Sequence, residues 1–97
     1  MSISIEPSKL LETITLIRER LRRECLPRAQ DDYERNAINR IDSKLEIMAT
    51  QLRQSIFTER SQRYSEITRM VEEIDPVVIP VEIGRLLIEI EDIYRRV

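Results

Sequence analysis

An all-α protein, built as a helical bundle or as extended helical hairpins on one long central helix and completed by oligomerisation, follows from three observations. Apolar residues recur at helical spacing along three stretches of the chain. Glycine occurs once in 97 residues, which argues against a turn-rich β-sandwich or barrel. Between Pro27 and Pro76 there is neither proline nor glycine, so nothing in that interval is an obvious helix breaker. The length makes residues 1–97 a single domain.

The first helix is expected over about 8–26. Ser8 follows Pro7 and suits an N-cap. Leu10, Ile14, Ile17, Leu21 and Cys25 recur at steps of three or four, which places them on one stripe, with Leu11 widening it. Pro27 ends the segment.

The second helix is expected over about 31–75. Asp31 or Asp32 can cap it, and acidic residues there suit the helix dipole. Ile38, Ile41, Leu45, Met48 and Leu52 form a short heptad seam, and Ile56 follows. Residues 58–63 are polar, and apolar spacing resumes at Tyr64, Ile67, Met70, Val71 and Ile74. Ile38 and Ile74 are 36 residues apart, which is about ten turns at 3.6 residues per turn, so both stripes fall on one face. A continuous helix, roughly 65 Å long at 1.5 Å per residue, would produce that registration. A break within 58–62, giving four helices, is the rival.

The third helix is expected over about 80–97, with Pro80 in its first turn and a stripe of Ile83, Leu86, Leu87, Ile90, Ile93, Tyr94 and Val97. Gly84 inside it points to close approach of another helix. An extended 77–83, pairing with 3–5, is the alternative for that connector.

Composition narrows the function. The chain is 41% hydrophobic and 35% charged, too apolar for a disordered tail. Its net charge of −2 offers no global attraction to nucleic acid or anionic lipid. Without histidine it lacks the commonest general base and metal ligand, and one glycine cannot make a phosphate loop. No catalytic residue, cofactor or metal is expected. Asp31 and Asp32 read as a helix start, and Glu72, Glu73 and Asp75 as a solvated helix end. A single cysteine, Cys25, excludes an intrachain disulfide and suits a reducing, cytoplasmic setting. It sits near Arg22, Arg23 and Arg28, which could lower a thiol pKa, but its place on the apolar stripe reads as a small buried hydrophobe. Residues 1–15 hold no basic region followed by an apolar run, so no secretory signal is expected, and no apolar stretch is long enough to span a membrane.

The expected function is therefore protein–protein interaction: an adaptor, small subunit, chaperone or inhibitor presenting amphipathic helix faces. Leu45, Met48, Leu52 and Ile56, with Ile90, Ile93 and Tyr94, are the candidate contacts, and ordinary internal core is the competing reading for each. Arg60 and Arg63 interrupt the apolar face beside Glu59, and three readings compete: a stretch that the first and third helices leave uncovered, a buried Arg–Glu pair that sets register between two copies, or a dock for a ligand or partner carboxylate. The expected partner is a second copy, a larger complex, or both. A thin fold can hardly leave the 45–56 seam wet when each large apolar side chain forgoes roughly 1.5–3 kcal/mol of burial.

The runner-up is a nucleic-acid-associated regulator using Arg18, Arg20, Arg22, Arg23 and Arg28. Residues 1–30 hold six basic against four acidic residues, net +2. Helix-dipole complementarity and i,i+4 pairing explain the same residues without a ligand.

Overall fold

The computed structural model describes residues 7–56 and 66–96. Four α-helices are present among them: α1 (Pro7–Arg20), α2 (Asp32–Gln54), α3 (Glu66–Glu73) and α4 (Val81–Arg96). No strand occurs among the described residues. Each helix packs against the next, and α1 also packs against α4. The result is an up-down-up-down bundle closed into a ring, measuring 37 × 25 × 22 Å.

α1 opens on Pro7, whose missing N–H costs nothing in a first turn. Ser8 accordingly lies inside the helix rather than at its cap. The helix widens into a π-helical turn, Leu21–Cys25, in which the amide of Leu26 reaches back five residues to the Leu21 carbonyl. A 3-10 turn, Leu26–Arg28, carries Pro27, and Ala29 then turns the chain to extended backbone. Throughout this change of pitch Leu10, Ile14, Ile17, Leu21 and Cys25 remain buried, as their spacing predicts.

α2 is capped by Asp31, whose side chain accepts the Glu34 amide at 2.8 Å, while the Glu34 carboxylate accepts the Gln30 amide at 2.9 Å. This reciprocal arrangement satisfies two amides at the helix entry.

The single long helix expected over 31–75 is not formed. α2 stops at Gln54 because Ser55 adopts the left-handed conformation, at φ 55°. The amides of Ser55 and Ile56 both turn back to the Gln51 carbonyl, and a helix cannot continue through that geometry. The helix resumes at Glu66. Residues 58–63, Arg60 and Arg63 included, lie outside the described residues. The two apolar stripes share a phase because α2 and α3 face one core, not because one helix joins them. A rod of roughly 65 Å, expected from the rise per residue, is replaced by a bundle whose longest dimension is 37 Å.

Between α3 and α4 the chain makes a turn rather than a strand. The Asp75 carbonyl accepts the amides of Val78 and Ile79, and the Asp75 carboxylate accepts that of Val77. Val78 and Ile79 plug the end of the core. Pro80 precedes α4, and its carbonyl accepts the Gly84 amide.

In α4, Ile83, Leu87, Ile90 and Tyr94 face inward. Gly84 is buried against α3, and a Cβ placed there would meet Val71 Cγ1 at 3.0 Å. The close approach anticipated for this glycine is therefore real.

Candidate functional site

The apolar residues expected to meet a partner are mostly occupied within the chain. Leu45, Met48, Leu52, Ile90 and Tyr94 are buried in the core, and Ile93 packs partly buried against it. Four helices enclose the seam that a second copy was expected to cover. Only Ile56, 67% exposed just beyond the end of α2, faces solvent.

The arginine-rich end of α1 is likewise engaged. Arg18 forms a forked pair with Asp42 on α2, at 2.8 and 3.2 Å, and lies 3.6 Å from Glu46. Arg20 bridges Glu24 and Glu82, tying α1 to the start of α4. These hydrogen bonds raise the pKa of both guanidiniums, and Arg20 holds the Glu24 carboxyl below its usual range. Arg23 pairs with Glu19 one turn away, and Arg22 reaches the Arg18 carbonyl. Arg28 is exposed. Three of the five arginines thus serve intrachain ion pairs.

Cys25 is fully buried, and burial pushes its thiol pKa up, the reverse of what a reactive thiolate requires. Asp31 is a helix cap, as its sequence position suggests. No group of three or more metal-ligating side chains comes together among the described residues, and no helix there is long and apolar enough to cross a membrane. A shallow groove of about 390 Å³ between α3 and α4 is lined by Thr68, Arg85, Ile88, Glu89 and Asp92, with mixed charge.

Glu91 is the residue that sequence reasoning missed in the core. It is 2% exposed, and its carboxylate accepts the amides of Ile67 and Thr68 and the Thr68 hydroxyl. A carboxylate from α4 therefore caps the first turn of α3 and meets the positive end of its dipole.

The surface that stands out is the seam between α2 and α3. At one end the Tyr33 hydroxyl donates to Glu73 at 3.1 Å, and near the other Lys44 pairs with Glu66. Lys44 lowers the Glu66 pKa through that bond, with Arg40 and Arg69 contributing. The Tyr33 ring remains 62% exposed. Arg40 lies seven residues after Tyr33, and Arg69 lies three after Glu66, so each falls on the stripe that already crosses the seam. Both are exposed, and neither forms a hydrogen bond or ion pair with any described residue.

Family models, curated proteins and solved structures were compared, and none matches the chain.

Proposed function

We propose that this chain is a non-enzymatic protein–protein interaction module, an adaptor, small subunit, chaperone or inhibitor, and that the α2–α3 seam is its contact surface. One observation carries the reading: Tyr33, Arg40 and Arg69 are exposed together on one cross-helix stripe. Tyrosine and arginine supply a disproportionate share of the binding energy at protein interfaces, since each combines a large contact area with directional polar groups. Rigid helices hold them, with the Tyr33–Glu73 and Lys44–Glu66 contacts fixing the register. The apolar helix faces serve as scaffold under this proposal and not as the contact itself. A buried, unpaired Cys25 accords with a reducing compartment such as the cytoplasm.

Site-specific photo-crosslinking in the source cells tests it. A crosslinker replacing Tyr33 should give a discrete protein adduct, and the same group at Glu12 on α1 should not. The adduct partner, purified, should bind the wild-type chain and lose affinity for Tyr33→Ala. Equal labelling from both positions, or undiminished binding by the variant, would refute the seam as the contact.

A further inference from the structure

We infer that the occupant of this seam is an acidic segment of another protein, one carboxylate of which bridges Arg40 and Arg69. The inference rests on the protein-binding reading above and adds the chemistry of the partner.

Register places the two guanidiniums together. α2 and α3 run antiparallel, since Tyr33 near the start of α2 meets Glu73 at the end of α3, while Lys44 further along α2 meets Glu66 at the start of α3. From the Lys44–Glu66 pair, four residues back along α2 lead to Arg40, and three forward along α3 lead to Arg69. At 1.5 Å per residue these steps are about 6 and 4.5 Å, so the two arginines stand at nearly one level across the seam. The influence of both on the Glu66 carboxyl agrees with that placement.

Among the described residues neither guanidinium forms an ion pair of its own; Glu66 is a carboxylate near both, and its hydrogen bond goes to Lys44. Within a turn of Arg40, α2 presents Asn36, Ala37, Asn39, Ser43 and Lys44. Asp42 points elsewhere, into the Arg18 pair. On α3, Glu66 is taken by Lys44 and Glu73 by Tyr33, while Glu72, one turn beyond Arg69, makes no ion pair with it. In a chain of net charge −2, folding has gathered three cations, Lys44, Arg40 and Arg69, around the Glu66 carboxylate, whose hydrogen bond is to Lys44. A carboxylate accepts forked hydrogen bonds from guanidinium in a fixed plane, so one such group between the two would relieve the repulsion and gain charge-assisted bonds. Tyr33 beside it offers a flat apolar face to the rest of the segment.

The test is a titration of the isotope-labelled chain with end-blocked hexaglutamate at low salt, followed by backbone amide and arginine side-chain shifts. End-blocked hexalysine and inorganic phosphate are run in parallel. Saturable shifts are expected at 33–44 and 66–73, including the side chains of Arg40 and Arg69. Binding should weaken by about tenfold or more in Arg40→Gln/Arg69→Gln, as befits loss of both charged donors. It should be unchanged in Arg85→Gln, which removes an exposed arginine elsewhere. Shifts spread over the surface, or equal weakening by Arg85→Gln, would overturn the inference. Phosphate binding the same residues as tightly would leave a simple anion site and overturn the acidic segment. Sedimentation showing self-association that Arg40→Gln/Arg69→Gln abolishes would make the occupant a second copy and overturn the foreign partner. If Tyr33 crosslinks a protein while hexaglutamate ignores the seam, the acidic chemistry fails and the protein-binding reading stands. Hexaglutamate binding without any adduct from Tyr33 is the opposite case.

Discussion

The Glu91 carboxylate holds Thr68 twice, accepting its amide at 2.9 Å and its hydroxyl at 2.7 Å across the gap between α4 and α3. A third bond, from the Ile67 amide at 2.8 Å, occupies the other oxygen. α3 has eight residues, too few to be helical by propensity alone, so its first turn depends on this contact. Glu91→Ala should cost about 2–4 kcal/mol, because buried amides lose a charged acceptor. Thr68→Ala, which removes one of three bonds, should cost about 1 kcal/mol. Urea melts give the magnitudes. Amide exchange should accelerate more in α3 than in α1 or α2 of the Glu91 variant, and uniform acceleration would contradict the local role.

Leu52→Asp should unfold the chain rather than dissociate an assembly. Leu52 is enclosed by its own helices, and a carboxylate there would be buried without a partner. The loss should exceed about 3 kcal/mol, visible as collapse of the circular dichroism signal at 222 nm. A helical monomer after the substitution would mean that Leu52 packs against another chain.

Ser55 pays a left-handed backbone penalty that glycine avoids. Ser55→Gly should raise stability by about 0.5–1 kcal/mol after the extra entropy of glycine in the unfolded chain is counted. Ser55→Val should lower it, since a β-branched residue tolerates that conformation least. A gain from valine would show that α2 can run on past Gln54.

Gly84→Val should destabilise by about 1–3 kcal/mol, because the added side chain must displace Val71. Gly84→Ala sets a gain of about 1 kcal/mol in helix propensity against a 3.0 Å contact, and should change stability little. Thermal melts of both variants distinguish the crowded packing from an open one, in which both would stabilise.

Acid should weaken the fold through Glu66 and Glu24. Their partners Lys44 and Arg20 hold both carboxyls below the ordinary value of 4.5. A depressed folded-state pKa contributes stability at pH values above 4.5, and that contribution disappears as pH falls through the lowered value. Urea midpoints should therefore decline below about pH 4.5, and Lys44→Met should make the decline shallower. Both groups lie near the surface, so the effect is small and screened by salt.

How much of this was legible in the sequence follows from where the signals live. The buried stripes of α1 and α4 were, because apolar spacing records which side of a helix faces the core. The end of α2 was not. Ser55 carries neither glycine nor proline to mark it, and stripes separated by ten turns keep phase whether one helix or two face the same core. Glu91 was readable in part: it lies four residues after Leu87 and three before Tyr94, on the inward face, yet its three donors belong to a helix start that appears only once α2 has stopped. Leu45, Met48 and Leu52 are covered by the chain's own helices while Ile56 stays exposed, and apolar spacing alone does not distinguish cover from within the chain from cover by a second copy. The Arg40–Arg69 juxtaposition was invisible, because it depends on a register that only the Tyr33–Glu73 and Lys44–Glu66 contacts define.

The order of contacts around the ring bears on how the chain reaches this state. Arg18 meets Asp42 and Ile67 meets Glu91 at the same separation of 24 residues, whereas Arg20 meets Glu82 at 62. Two hairpins can therefore each form from near neighbours along the chain, and only their docking requires a distant encounter. Topologies dominated by such short-range encounters belong to the fast class, folding in microseconds to milliseconds. On a ribosome the first hairpin can assemble while the second is still being made. Arg20 then waits for Glu82, and the bond that closes the ring can form only after most of both hairpins has been made.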